Sequence, residues 1–337
     1  MPTNLQTYVY PGLPIESTAG FGQVSYALTD QIKIEAGMRY STDEKSRTGY
    51  NTVTNIANWV ATGVASFVTT PQNSKVSSTK KTYHAALDWQ WSPDNLLYVK
   101  YDTGYKAGGF TDNNVYGPET IEAYEIGSKN RFLNNKLELN LAGFWYDYTD
   151  QQVSTQTVSP AGAFITVVLN AGAARYYGLE AEAVALLTPV DRLNFYVGYI
   201  NAKYTDFKIV TGPTSSLQLA GNRPPQAPRW TANVGYQHEW AVWNDTLTGR
   251  VQTHLESKSY YTFRNFPADA EPSYHRTDLL LTYEPTGGQW QIQGYVRNLE
   301  DKNILAGAQD PSSGTYAAYR YQWQPPRTFG ARVTYNW

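Results

Sequence analysis

Apolar and polar residues alternate with a period of two along most of the chain. Near the C-terminus, Phe329, Ala331, Val333 and Tyr335 alternate with polar or small residues. Successive side chains of a β-strand lie on opposite faces, so this pattern predicts a strand with one apolar and one polar face. We predict thirteen such strands: 19–28, 31–42, 81–92, 95–106, 120–132, 135–156, 163–187, 192–206, 229–240, 245–256, 274–284, 289–299 and 327–337.

Most of these segments are longer than strands of soluble sheets and have the length of tilted strands that cross a membrane. Short turns and long loops alternate between them, as in outer-membrane barrels with short periplasmic turns and long extracellular loops. The long connections are 43–80, 107–119, 207–228, 257–273 and 300–326. The fold class predicted is therefore all-β, a transmembrane antiparallel β-barrel of about 13–14 strands.

The alternation of connections also gives an orientation. If strand 327–337 ends in the periplasm, the first strand descends from outside, and residues 1–17 are an extracellular loop remnant or a partial strand. A strand at Leu5–Tyr10 would raise the count to fourteen. Bacterial barrels have even strand numbers, and an open edge in lipid leaves backbone groups unpaired. We therefore expect 18–337 to be the C-terminal portion of a larger barrel.

Composition excludes several other classes of protein and site. The 337 residues are 17% charged and 15% aromatic, with a mean hydropathy of −0.50. No run of about 18 to 20 apolar residues occurs, which argues against membrane-spanning helices. The net charge of −2 gives no electrostatic reason to expect nucleic acid as a partner. The absence of cysteine removes disulfides, thiol catalysis and cysteine-based zinc sites.

Nine segments, in the same order, resemble the C-terminal barrel of TonB-dependent outer-membrane receptors. They are FGQVSYALTD (21–30), GMRYSTDEK (37–45), GYKAGGF (104–110), EAYEIGSKNRF (122–132), LNLAGFWYDYTDQQ (139–152), NAGAARYYGLEAE (170–182), GNRPPQAPRW (221–230), RNLEDKN (297–303) and PRTFGARVTYNW (326–337). The resemblance implies a 22-stranded barrel around a plug in the outer membrane of a Gram-negative bacterium. It also implies energised uptake of a scarce nutrient, usually a ferric siderophore.

The plug and the TonB box of that family have no counterpart in this sequence. At about 26 residues per strand, 22 strands need about 570 residues, which is well beyond this chain. The N-terminal residues also lack the basic and apolar regions of a signal peptide. We therefore expect a mature form or a fragment whose partners are outer-membrane lipid and an N-terminal plug and barrel half. The TonB complex would act only through that part, and the barrel-assembly machinery would recognise the C-terminal strand.

Catalytic and metal sites are not predicted. The sequence contains no nucleophile motif, and its four histidines are isolated from one another, so we expect no enzyme activity, no cofactor and no metal site. Charged residues that alternate along a strand, such as Lys33 with Glu35 and Glu180 with Glu182, are typical of a hydrated barrel wall.

Aromatic residues fall into two groups. Those at strand ends are predicted to form membrane girdles, with the last also serving assembly: Trp145, Trp230, Trp290, Tyr335 and Trp337. Those in long loops, together with nearby basic residues, either pack the loops or contact an anionic, aromatic ligand. The ligand-contact candidates are Trp59, Tyr260, Tyr261, Phe263, Arg264, His275, Tyr319, Arg320 and Trp323.

Three alternatives to a receptor barrel stay open. A self-contained passive channel of about fourteen strands would be favoured if residues 1–17 paired with the last strand. A soluble all-β protein is disfavoured by the apolar outer face, and an enzyme embedded in the membrane has no supporting motif. The ligand class is also open, between a siderophore, haem, cobalamin, a nickel chelate and an oligosaccharide.

Overall fold

The computed structural model describes residues 4–64, 66–111, 114–158, 164–210, 216–309 and 319–337. None of the helices in these ranges is long and apolar enough to cross a membrane. In chain order the elements are β1 (Asn4–Gly12), β2 (Ile15–Ala27), β3 (Ile32–Asn55), α1 (Ile56–Thr62), β4 (Ser66–Pro71), β5 (Ser74–Ser92), β6 (Asn95–Lys106), β7 (Gly109–Phe110), β8 (Val115–Tyr116), β9 (Glu119–Phe132), β10 (Leu137–Val158), β11 (Phe164–Leu186), β12 (Asp191–Asp206), β13 (Lys208–Val210), β14 (Ser216–Gln218), β15 (Trp230–Val242), β16 (Asp245–Glu256), β17 (Ser259–Tyr260), a 3₁₀ helix (Pro267–Asp269), β18 (Ala270–Glu271), β19 (Tyr274–Glu284), β20 (Trp290–Arg297), β21 (Leu305–Gln309), β22 (Arg320–Trp323) and β23 (Thr328–Tyr335).

Fifteen of these strands form one antiparallel sheet with thirteen positions. β3 is long enough to pair with β2 and then β1 along one edge, and with β5 and then β4 along the other. β1 and β2 therefore share one position, and so do β4 and β5. After β5 the order is β6, β9, β10, β11, β12, β15, β16, β19, β20 and β23. Each position contains one of the thirteen predicted strands, so the fold-class prediction is confirmed.

The first strands are longer than predicted. The predicted loop 43–80 is wrong at both ends, because β3 continues to Asn55 and β5 begins at Ser74. Between them lies α1, whose first turn is capped by the Asn55 side chain (Oδ1 to the Asn58 amide, 2.9 Å) and which ends at Gly63 with φ 70°. Both are ordinary capping signals. A seven-residue helix is too short to show an apolar stripe, and we did not predict it.

The segment Leu5–Tyr10 does not add a fourteenth strand. It lies in β1, which continues the first sheet position and pairs with β3. The passive-channel alternative depended on pairing between residues 1–17 and the last strand. No such pairing is observed in the described part of the chain. Within that part, β2 pairs only with β3 and β23 only with β20, so the sheet ends in two free edges.

The sheet has two chemically different faces, as the period-two pattern predicts. The apolar face carries Ile126, Leu141 and Phe329, and Phe329 is 81% exposed within the chain itself. The charged face carries ion pairs that join neighbouring positions, such as Lys33 Nζ with Asp88 Oδ2 at 3.0 Å. We call the end with the long connections the loop end and the other the turn end.

Candidate functional site

Three successive long connections at the loop end form one structure, which we call the cap. Its described parts are 207–210 and 216–229, between β12 and β15; 257–273, between β16 and β19; and 298–309 and 319–327, between β20 and β23. Each contains a short ladder of its own: β13–β14, β17–β18 and β21–β22. Because the flanking strands are consecutive in the sheet, the three loops lie side by side.

Reciprocal hydrogen bonds join the first cap loop to the second. Asn222 Nδ2 donates to the carbonyl oxygens of Phe263 and Arg264, at 3.0 and 3.2 Å. The Arg223 amide donates to Asn265 Oδ1 at 2.7 Å, and Asn265 Nδ2 donates back to the Arg223 carbonyl at 2.9 Å. These bonds satisfy backbone groups that irregular loops leave without ladder partners.

The second and third cap loops meet at Leu305. The Glu271 carboxylate accepts from the Leu305 amide at 2.8 Å, and the Tyr261 hydroxyl donates to the Leu305 carbonyl. The Tyr321 hydroxyl also donates to the Ala268 carbonyl at 2.8 Å. Burial raises the pKa of the Glu271 carboxyl, because the charged form loses water, although the Leu305 amide opposes this.

A small apolar core lies under the cap. Phe207 is 1% exposed, and its ring lies 4.8 Å from that of Tyr204 and 5.4 Å from that of Phe263. This cluster packs against Val153 and Ala174 of β10 and β11. Ala174 has the same strand parity as the charged-face residue Glu180, so the cap core covers the charged face at the loop end.

The predicted ligand-contact residues are distributed as follows. Tyr260, Tyr261, Phe263 and Arg264 lie in the second cap loop; Tyr319, Arg320 and Trp323 lie in the third; and His275 lies at the start of β19, with Nε2 3.7 Å from Glu300 Oε1. Trp59 lies apart from these in α1. The cap thus contains or borders eight of the nine candidates.

The candidates also differ in how far their side chains are buried. Phe263 is 5% exposed and belongs to the cap core, an environment that favours the loop-packing alternative for this side chain. Trp323 is 59% exposed and follows Tyr319 and Tyr321 in a row of neighbouring rings. Contact between these exposed rings and a ligand stays a prediction.

The predicted girdle residues occur at both ends of the sheet. Trp145 stacks on Tyr177 at 5.1 Å, and Trp230 lies 4.7 Å from Tyr199, towards the loop end. At the turn end, Tyr335 has ring neighbours at 4.6 Å and 6.4 Å, namely Trp290 and Trp337. Two aromatic rows at opposite ends are the arrangement that membrane interfaces favour.

Two polar sites were not predicted from the sequence. Arg47 is 5% exposed; its guanidinium lies 4.8 Å from the rings of both Tyr10 and Phe110 and donates to the carbonyls of Gln72 (3.2 Å) and Thr111 (3.1 Å). It thereby attaches the connection between β6 and β9 to β3. In the sequence it lies in the predicted loop 43–80, where a polar residue gives no signal of burial.

The second is a cavity of about 250 Å³, which we call the mouth pocket, on the charged face next to the third cap loop. Its lining comes from β15, β16, β19 and that loop: Asn233, Gln252, His254, Tyr274, Arg276, Asp278 and Gln324. Strand register brings these residues together, since His254 is opposite both Asn233 and Arg276. Among the described residues, no group of three or more His, Asp or Glu side chains could hold a metal ion.

A family of known proteins shares this barrel. The family described as TonB dependent receptor-like, beta-barrel, matches residues 2–299. The chain therefore belongs to the TonB-dependent receptor β-barrel family.

Individual relatives agree with this assignment. The chain is 24% identical over 316 residues to the probable TonB-dependent siderophore receptor PiuA of Acinetobacter baumannii, covering 87% of this chain and 38% of that protein. It is 23% identical over 296 residues to the pesticin receptor of Yersinia pestis, covering 85% and 39%. The crystal structure of the ferric yersiniabactin uptake receptor FyuA from Yersinia pestis superposes with a TM-score of 0.77 at 20% identity, covering 95% and 45%. The chain thus spans about two fifths of the length of these curated relatives.

Proposed function

We propose that this chain is the ligand-facing barrel portion of an outer-membrane receptor that takes up a ferric siderophore by TonB-dependent transport. The observation that carries the proposal is the combination of a two-faced sheet with an interlocked aromatic cap over its charged face. The apolar face suits lipid, and the charged face suits a hydrated lumen. The cap lies where a solute from outside would arrive if the loop end faces the medium.

The relatives supply the substrate class. PiuA is named as a probable siderophore receptor and FyuA as a ferric yersiniabactin uptake receptor. The same proposal includes four further partners of the receptor. A plug and further strands would complete the barrel, TonB would act through the plug, outer-membrane lipid would cover the apolar face, and the assembly machinery would recognise the strand ending near Trp337.

An uptake assay in the source cells tests the proposal. Cells with and without the gene are starved of iron and given ⁵⁵Fe as ferric citrate, a ferric tris-hydroxamate or a ferric tris-catecholate. We expect the gene to increase uptake of at least one chelate, and a protonophore to abolish the increase. Equal uptake with and without the gene for all three would contradict a role in iron acquisition. An increase that persists with the protonophore would instead support passive permeation.

A further inference from the structure

The mouth pocket has an uneven supply of hydrogen-bond donors and acceptors. Gln252 Oε1 accepts from Arg250 Nη2 at 3.0 Å, and Gln324 Oε1 accepts from Arg276 Nη1 at 3.0 Å. Asn233 Oδ1 accepts from His254 Nδ1 at 2.9 Å. An arginine side chain can only donate, so each glutamine amide turns its oxygen towards its arginine partner. In all three amides the oxygen is engaged, and no described residue accepts from the NH₂ group.

Arg276 also has N–H groups without a hydrogen-bond acceptor among the described residues. Its Nη1 is bonded to Gln324, whereas its Nε is buried without an acceptor among the described residues. Asp278 Oδ1 lies 3.8 Å from that Nε, beyond hydrogen-bonding distance, and accepts from the Asn298 amide at 2.9 Å. Arg276 Nη2 also has no bonded acceptor within the described ranges.

Tyr274 does not change the excess of unpaired donors in the pocket. Its hydroxyl donates to Glu256 Oε2 at 3.2 Å, and the other oxygen of that carboxylate accepts from Ser259. The groups of the pocket that lack a hydrogen-bond partner among the described residues are N–H donors on three side-chain amides and one guanidinium, together with one acceptor, Asp278 Oδ2, whose carboxylate is ion-paired with Arg276. Among the described pocket residues, Arg276 Nε is the unpaired donor that is also buried, and leaving it unsatisfied costs free energy that an oxygen ligand would recover.

We propose that the mouth pocket binds a carboxylate group. A guanidinium presents planar paired donors that match two carboxylate oxygens, and the amide groups of Asn233, Gln252 and Gln324 supply further donors. The small volume suits a carboxylate arm rather than a whole ferric chelate. The carboxylate belongs either to a chelate from the medium, which rests on the proposed function, or to another segment of the same receptor.

Thiol labelling at the pocket distinguishes these sources. Because the chain contains no cysteine, Gln324→Cys provides a single thiol at the pocket. The receptor is purified from the outer membranes of the source cells, and its labelling rate is measured alone, with citrate, and with the uncharged trimethyl ester of citrate. The same measurements are made after adding Arg276→Gln, or Arg332→Gln as a matched control on the same face outside the pocket lining.

If the pocket binds the carboxylate of a chelate, citrate slows labelling at least tenfold and the ester does not. Arg276→Gln then abolishes the protection, and the control Arg332→Gln does not. For a carboxylate of the receptor itself, labelling is slow without any addition, and Arg276→Gln alone speeds it at least tenfold. Either result supports the proposal. Rates that are independent of citrate and of Arg276 overturn it, as does equal protection by the ester. Neither readout involves iron uptake, so failure here leaves the proposed function to be judged by its own assay.

Discussion

The barrel wall and the cap are held together in different ways. In the wall, each strand is bonded to its neighbours along the backbone, and the large apolar side chains stay exposed on one face, as Ile126 and Phe329 do. In the cap, short ladders are joined by side-chain bonds, and the aromatic core around Phe207 is buried within the chain. The wall therefore needs the bilayer to cover its apolar face, whereas the cap core is buried by the chain itself, between cap loops and the ends of β10, β11 and β12.

This difference explains why alternation describes one region and not the other. In the wall, the period of two is enough to place every side chain on a face. In the cap, the positions of Asn222, Asn265 and Glu271 depend on hydrogen bonds between residues that are 34 to 42 positions apart in sequence. Perturbing each region separately tests whether they are independent.

The largest expected effect is on the cap core. Phe207→Ala removes a nearly fully buried ring and should destabilise the cap by about 3–5 kcal/mol. Hydrogen exchange of residues 216–222 in outer-membrane vesicles measures this as faster cap opening. The control Phe329→Ala lies on the apolar face and should leave cap exchange unchanged. Equal exchange in wild type and Phe207→Ala would mean that this core does not hold the cap.

A charge on the apolar face should affect the wall instead. Leu141→Arg places a guanidinium against lipid hydrocarbon and should cost about 2–4 kcal/mol if the site is near the bilayer midplane. The neighbouring Asn140→Arg lies on the charged face and serves as the matched control, with a much smaller cost. Urea titration of the receptor folded into lipid vesicles gives both values. Similar losses for the two variants would contradict the assignment of the faces.

The bonds between the first two cap loops should have a smaller effect. Asn222→Ala removes two hydrogen bonds to backbone carbonyls and should destabilise their contact by about 1–2 kcal/mol. Limited proteolysis of intact vesicles, followed by mass spectrometry of fragments from 216–229 and 257–273, detects this as faster cleavage in both loops. Asn303→Ala, an exposed asparagine in the third loop, is the control. Faster cleavage in one loop alone would show that the loops open separately.

The smallest effect concerns pH at the contact between the second and third loops. Burial raises the folded-state pKa of Glu271 above its ordinary value of 4.5, so this carboxyl binds its proton more tightly in the cap than in the unfolded chain. The contact should be most stable below pH 4.5 and lose stability as pH rises through the raised pKa. Exchange of the Leu305 amide, corrected for intrinsic rates, measures this.

Glu271→Gln provides the comparison for that pH dependence. The glutamine oxygen can still accept from the Leu305 amide, but it carries no charge, so the pH dependence should disappear. Glu284→Gln at the turn end should leave it intact. A pH profile of Glu271→Gln that matches the wild-type profile would contradict the role of this carboxyl.

The wall could be predicted from sequence because the alternation itself carries the information. Leu139 and Leu141 alternate with polar residues in β10, and that pattern identified the strand and its apolar face. The extension of β3 to Asn55 was missed because its outer part lies beyond the clear apolar alternation. The helix α1 was missed because the Asn55 and Gly63 signals are weak alone.

The sites could be predicted only in part. Aromatic and basic residues marked the cap loops, but the sequence could not distinguish the buried Phe263 from the exposed Trp323, because burial depends on which loops meet. The mouth pocket depends on the register of three strands, which brings Asn233, His254 and Arg276 into line. No single strand carries a signal for that arrangement.

Cysteine labelling on intact cells most directly tests the central claim that the wall crosses the outer membrane with the cap outside. Asn303→Cys places a thiol in the cap, and Pro189→Cys places one in the turn between β11 and β12, in a chain with no other cysteine. With a membrane-impermeant maleimide, we expect Asn303→Cys to be labelled on intact cells and Pro189→Cys only after the outer membrane is disrupted. Labelling of Pro189→Cys on intact cells at the same rate as Asn303→Cys would contradict the account.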